Sequence, residues 1–139
     1  MSRVWYWDIE DMHSKYGVHD WVREKVEAAD KESLKKFLEF RIKFLEEELA
    51  ETKKAVEEGD AEEIVDGLID LCVVAIGTLD AFGVNAKTAW DNVHAANMNK
   101  EVGVKESRPN PLGLPDLIKP EGWIAPSHEG NHGLLEKIS

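Results

Sequence analysis

A chain of 139 residues with 42% hydrophobic content closes one core of ordinary size and leaves little room for a second large domain. Its formal net charge of −11 argues against a general nucleic-acid binder, which would hold phosphates with clustered Lys and Arg, so no nucleic-acid partner is expected. The charge is also uneven: 21 of the 28 acidic side chains fall within residues 1–84, and such a concentration calls for cations.

The pattern is helical to about residue 102, and nothing reads as a strand. A first short helix is expected to start at Asp8, capped by that side chain, with Ile9, Met12 and Tyr16 at helical spacing until Gly17 stops it. A second short helix begins near Asp20. The long helix runs from about Lys31 to Glu58 with Leu34, Leu38, Leu45, Leu49 and Val56 along one stripe, and Gly59 ends it. Asp60 reads as the N-cap of the next helix, with Glu63 at capping-box spacing, and that helix continues to about Phe82 before Gly83. It is apolar nearly all round, the signature of a helix at the centre of a bundle. Cys72, the single cysteine, lies in its run Leu71-Cys72-Val73-Val74 and reads as a small buried hydrophobe. Asn85 can cap a last helix to about Lys100 that turns Ala89, Trp90, Val93 and Ala96 inward.

All five prolines fall at or beyond Pro109, interspersed with glycines, so the tail cannot be helical throughout. It still carries Leu112, Leu114, Leu117, Ile118, Trp123 and Ile124, too much apolar surface for a plain linker. The expectation is an all-α helical bundle over residues 1–102, with residues 103–139 forming an extended tail that packs on the bundle or on a partner subunit. The N-terminus lacks the basic and then apolar stretch of a secretory signal, and no segment approaches the ~20 apolar residues of a membrane span. A soluble protein of a reducing compartment is expected, without a membrane partner.

The acidic residues carry the functional signal. On the long helix, positions 37, 41, 44, 48, 51 and 55 form one stripe that changes from aromatic to acidic, with Glu47 on its flank. On the next helix, Asp66 and Asp70 are four residues apart within an apolar run. Burying unpaired carboxylates costs several kcal/mol, and like charges one turn apart repel. Arg41 and Lys54 could neutralise part of this cluster but not five acids, whereas hard, oxygen-seeking Mg²⁺ or Mn²⁺ would suit it. Glu46, Glu57, Glu58 and Glu62 read as an ordinary solvated face. Glu63 is explained as well by capping as by metal.

The segments Arg41-Ile-Lys-Phe-Leu-Glu-Glu-Glu-Leu-Ala-Glu51, Gly59-Asp60 and Glu63-Ile-Val-Asp-Gly-Leu-Ile-Asp-Leu71 resemble the MazG-like all-α nucleoside triphosphate pyrophosphohydrolases, most closely the phage members labelled phosphoribosyl-ATP pyrophosphohydrolase-like. The resemblance spans about residues 5–126. The family carries Glu-Glu-x-x-Glu on one helix and Glu-x-x-Asp on the next. Aligning Asp70 with the family aspartate places Gly67 where glutamate is usual, with Asp66 beside it as the substitute. The other register, Glu63-x-x-Asp66, leaves Asp70 unexplained, and Asp66 with Asp70 is preferred.

The resemblance implies hydrolysis of a nucleoside triphosphate to monophosphate and pyrophosphate. Glu48, Glu51, Asp66 and Asp70 would be Mg²⁺ ligands, and Glu47 a further ligand or the group that orients and deprotonates water, with the roles of Glu47 and Glu48 exchangeable. It further implies that Asn97, Lys100, Lys105, Arg108, Lys119 and Trp123 contact substrate, with His13 as a polar reader of the base among the N-terminal aromatics. Phage relatives suggest a purine deoxynucleotide such as dGTP or dATP, a homo-oligomer (dimer or tetramer), and a cytoplasmic location, that of the host for a phage-encoded chain. The competing reading is a non-catalytic metal- or nucleotide-binding regulatory module. An acidic mimic of DNA would instead spread its carboxylates over the surface.

Overall fold

The structure, a computed structural model, describes residues 4–105, 112 and 116–138. Its elements in chain order are α1 (Trp5–Lys15), α2 (Val18–Glu27), α3 (Lys31–Glu58), α4 (Ala61–Ala81), α5 (Ala86–Met98), β1 (Glu101–Gly103), β2 (Asp116–Ile118) and a closing 3₁₀ helix (Gly133–Lys137). The protein is therefore all-α in class. It forms two compact units, one of residues 1–86 with 132–139 and the other of residues 87–131.

In the first unit the punctuation read from the sequence sets the helix boundaries. Gly17 adopts φ +80° between α1 and α2. Asp30 caps α3 by accepting from the Ser33 N–H, and Gly59 closes that helix at φ +68°. Asp60 caps α4 by accepting from the Glu63 N–H. The first helix departs from expectation: it starts at Trp5 after Val4, and Asp8 lies inside its first turn. Its buried positions are Ile9 and His13 rather than Met12 and Tyr16.

Two helices dominate this unit. Thr52 meets Gly67, Arg41 meets Gly77 and Phe37 meets Phe82, so α3 and α4 run antiparallel. The inward stripe of α4 is Gly67, Val74, Gly77, Thr78 and Ala81. Small side chains there let the helices approach closely; a Cβ at Gly67 would overlap Thr52 Oγ1. At one end lies the apolar core of Val22, Leu34, Ala81, Phe82 and Ile138. The 3₁₀ segment joins it: the Leu134 N–H donates to the Phe82 carbonyl at 2.7 Å, and Leu134, Leu135 and Ile138 pack on the cluster. Gly133, at φ +55°, has no room for a Cβ beside that same carbonyl.

Other expectations are corrected. Leu49 and Val56, placed on the inward stripe of α3, are exposed; Thr52 and Ala55 are buried instead. On α4, Val65, Leu68, Ile69 and Cys72 are exposed on one face, so neither the buried cysteine nor the helix covered on all sides is observed within a single chain. Trp90 and Val93 are exposed as well.

In the second unit, β1 and β2 form an antiparallel pair with Glu101 opposite Ile118, Val102 opposite Leu117 and Gly103 opposite Asp116. Three-residue strands are too short to show alternation, which is why none was legible. Gly103 is needed here, since Ile118 fills the space its Cβ would occupy. Trp123 anchors the segment by donating its indole N–H to the Ala96 carbonyl at 2.8 Å. Among the described residues, no single helix is long and apolar enough to cross a membrane.

Candidate active site

The antiparallel register of α3 and α4 sets Glu48 level with Asp70 and Leu71, one layer beyond the Thr52–Gly67 contact. Glu48 and Asp70 are half-buried between the helices, while Glu47, Glu51 and Asp66 are exposed on the flanks. Asp66 is thus not a buried acid: it borders the exposed apolar face. Glu51 likewise yields its expected inward place to Thr52, whose hydroxyl donates to the Glu48 carbonyl at 2.8 Å.

The five acids nevertheless form one electrostatic group. Burial pushes the Glu48 carboxyl above its ordinary pKa, and the negative charges of Glu51, Asp70, Asp66 and Glu47 push it further. Glu63 is not among the groups acting on Glu48. Its N–H is held by Asp60, whereas the Asp60 N–H is already given to the Ala55 carbonyl at 2.9 Å, so the return half of a capping box has no donor to satisfy.

The two cations that could have neutralised the group are directed elsewhere. Arg41 donates from Nε to Thr78 Oγ1 and from Nη2 to the Val74 carbonyl, both at 3.0 Å, and Lys54 lies 3.9 Å from Glu58. Burial lowers the Arg41 pKa, although a guanidinium keeps its charge at any pH that leaves the protein folded. These side chains offer oxygen donors only, without thiol or imidazole, the donor type that hard divalent cations prefer.

Gly67 is explained by packing. A glutamate at this position, as the family pattern has it, would have to pass through Thr52, so the helix contact and the acidic side chain exclude one another at residue 67. Asp66, one residue earlier, clears the contact.

A second polar group lies at the other end of the α3–α4 seam. His13 Nδ1 and His19 Nε2 both hydrogen-bond to Asp80 Oδ2, at 2.6 and 2.8 Å. Burial would raise the Asp80 pKa, but the hydrogen bonds and charge of the two histidines outweigh it and hold the carboxyl below its ordinary value. His13, expected to read the base, is only 3% exposed with Nδ1 committed to Asp80. Gly77 makes its place, since a Cβ there would lie 3.2 Å from the His13 ring and 2.5 Å from Arg41 Nη2.

In the second unit, Lys100 and Lys119 place their ammonium groups 5.5 and 5.1 Å from the Trp123 ring centroid. Asn97 is exposed and Lys105 half-buried. Arg108 lies outside the described residues.

The all-α unit carries these five acidic side chains on its two longest helices, α3 and α4. The chain belongs to the phosphoribosyl-ATP pyrophosphohydrolase family, which matches residues 16–97, within the MazG-like all-α nucleotide pyrophosphohydrolases. It is accordingly a pyrophosphohydrolase acting on a nucleotide phosphoanhydride. The matched stretch contains all five carboxylates and Asn97, and stops before Lys100. No curated protein matches the chain.

His19, Asp80 and Gly77 were missed in the sequence. The signal for Asp80 was present: like Asp66 and Asp70, it is an acid inside an apolar helical run, Leu79-Asp80-Ala81-Phe82. Its partners could not be read, because both histidines are distant in the chain.

Proposed function

We propose that the chain hydrolyses a nucleoside triphosphate between its α- and β-phosphates, with Glu48, Glu51, Asp66 and Asp70 holding Mg²⁺, for which Mn²⁺ can substitute. The observation that supports this reading is that Glu48 and Asp70 are half-buried on facing helices, with the Glu48 carboxyl raised by burial and by the charges of four acidic neighbours and Arg41 and Lys54 turned to other partners. Divalent metal bound there supplies positive charge to the phosphate oxygens and the pyrophosphate leaving group and makes water more acidic.

The protein's own groups do the rest. Glu47, exposed beside Glu48, accepts the proton of the attacking water; the new bond forms at the α-phosphorus as the bond to the bridging oxygen breaks, leaving monophosphate and pyrophosphate. Glu48 exchanges with Glu47 in this role if their side chains swap places. Asn97, Lys100, Lys105, Arg108, Lys119 and Trp123 are proposed as substrate contacts. The two ammonium groups against one indole, in particular, offer cation and ring to a phosphorylated nucleoside.

Purine deoxynucleotides, dGTP and dATP, are the proposed substrates, on the resemblance to phage members. A homo-oligomer is also proposed, supported by the exposed apolar face of Val65, Leu68, Ile69 and Cys72 on α4. An exposed face of this kind marks an interaction surface.

The test is pyrophosphate release from a panel of NTPs and dNTPs with Mg²⁺, with Mn²⁺ and with chelator. Metal-dependent release, greatest for a purine deoxynucleotide, is expected. Release from pyrimidines alone would overturn the base assignment, and metal-dependent binding without release from any nucleotide would favour a regulatory module over this proposal.

A further inference from the structure

The group formed by His13, His19 and Asp80 is separate from the carboxylate seam and has a different donor chemistry. We propose that it is a second metal site, selective for a borderline transition metal of the Zn²⁺ type, which ties the α1–α2 hairpin to the last turn of α4. Among the described residues, these three offer ligand atoms that all lie within 4.8 Å of one another. The donors come from three helices: His13 from α1, His19 from α2 and Asp80 from α4.

The donor set decides the metal. Two imidazole nitrogens and one carboxylate oxygen suit Zn²⁺, Co²⁺ or Ni²⁺, whereas Mg²⁺ prefers oxygen ligands alone. Three protein ligands with a fourth position left to water is a common arrangement for Zn²⁺. His13 is buried, His19 is 35% exposed and Asp80 is 12% exposed, so one side of the group is reachable from solvent while the other is fixed by packing. Arg41 Nη2 shares the space over Gly77 with the His13 ring. A cation so close opposes a hard ion held by charge alone, and leaves imidazole coordination as the selecting force.

In the metal-free chain the three side chains close on one another through N–H donation, at 2.6 and 2.8 Å. Ligands of one tetrahedral Zn²⁺ at ~2.0–2.1 Å stand about 3.3 Å apart, so loading requires the group to open by roughly half an ångström. The half-exposed His19 ring can supply that movement. To coordinate, each imidazole must present an unprotonated nitrogen on the Asp80 side, with its remaining proton on the opposite ring nitrogen.

The inference stands apart from the carboxylate reading, and one experiment separates the two. Untagged, chelator-treated full-length protein is titrated with Co²⁺ in excess Mg²⁺, which occupies the oxygen site, while visible absorption and thermal stability are followed. One Co²⁺ per chain should bind with the intense visible bands of low coordination, raise Tm and be displaced by Zn²⁺. His19→Gln should lose these bands with its helical circular dichroism unchanged, and Asp70→Asn should keep them. Absence of saturable bands in the natural sequence, bands that survive in His19→Gln, or bands lost in Asp70→Asn would each overturn the site. Ring proton resonances of His13 and His19, shifted by Co²⁺ in the natural sequence, provide a readout that does not depend on a variant.

Discussion

Replacing Glu48 by Gln should stabilise the metal-free protein while removing its activity. The Glu48 carboxyl is pushed up by burial and by Glu51, Asp70, Asp66 and Glu47. Its folded pKa therefore lies above its unfolded pKa, and between the two values the folded chain holds more protons. Stability falls as pH rises through that window, and the penalty is fully present at neutral pH. Like charges one helical turn apart cost about 0.2–0.5 kcal/mol per pair, and solvent screening keeps pairs across the exposed mouth of the seam to a similar size. Releasing Glu48 from its neighbours should yield on the order of 1 kcal/mol, which for a chain of this length raises Tm by roughly 2–4 °C. Differential scanning calorimetry in chelator should show this gain at neutral pH, and should show it vanishing below about pH 4, where the Glu48 carboxyl is protonated in both the folded and the unfolded chain. Mg²⁺ should raise the Tm of the natural sequence more than that of the variant, and pyrophosphate release should fall by on the order of 10²-fold or more. A metal-free variant that melts at or below the natural protein, or that keeps the full Mg²⁺ gain, would refute the reasoning.

Gly67→Ala forces a Cβ against Thr52 Oγ1 and should cost about 1–3 kcal/mol by overpacking; in a Thr52→Ala background the penalty should shrink, which urea denaturation of the four proteins measures as a double-mutant cycle. Ile138→Ala removes a side chain 4% exposed in the core at the C-terminus and should destabilise by about 2–5 kcal/mol, whereas an unchanged denaturation midpoint would mean that the closing 3₁₀ segment does not hold the helices. If the proposed second subunit covers the α4 face, Cys72 should react slowly with a thiol reagent at high protein concentration and faster on dilution; rapid reaction at every concentration would contradict the oligomer.

Several helix boundaries were legible from single residues: Gly17, Gly59, Asp60 and Gly83 each sit at the turn or cap expected of them, whereas α1 starts ahead of Asp8 and α2 ahead of Asp20. Inward faces were less legible. Leu49, Val56 and Cys72 are apolar yet exposed, because hydrophobicity states that a side chain must be covered without stating by what. The proposed carboxylate site could be put forward from the sequence because its members are close in the chain and share helical spacing. Thr52 against Gly67, and Asp80 between two histidines, depend on how α3, α1 and α2 meet α4, which no local pattern encodes. The β1–β2 pair escaped for a related reason: its pairing joins residues 101–103 to 116–118, and neither segment is long enough to declare its period.

The central claim is that carboxylates at the α3–α4 seam drive metal-dependent cleavage at the α-phosphorus. Its most direct test follows dGTP by ³¹P NMR in ¹⁸O-enriched water with Mg²⁺, comparing the natural sequence with Asp70→Asn. The account predicts ¹⁸O in the monophosphate, unlabelled pyrophosphate as the other product, and a rate lower by on the order of 10²-fold in Asp70→Asn. Label in the pyrophosphate, orthophosphate as the product, or an unchanged rate in Asp70→Asn would contradict it.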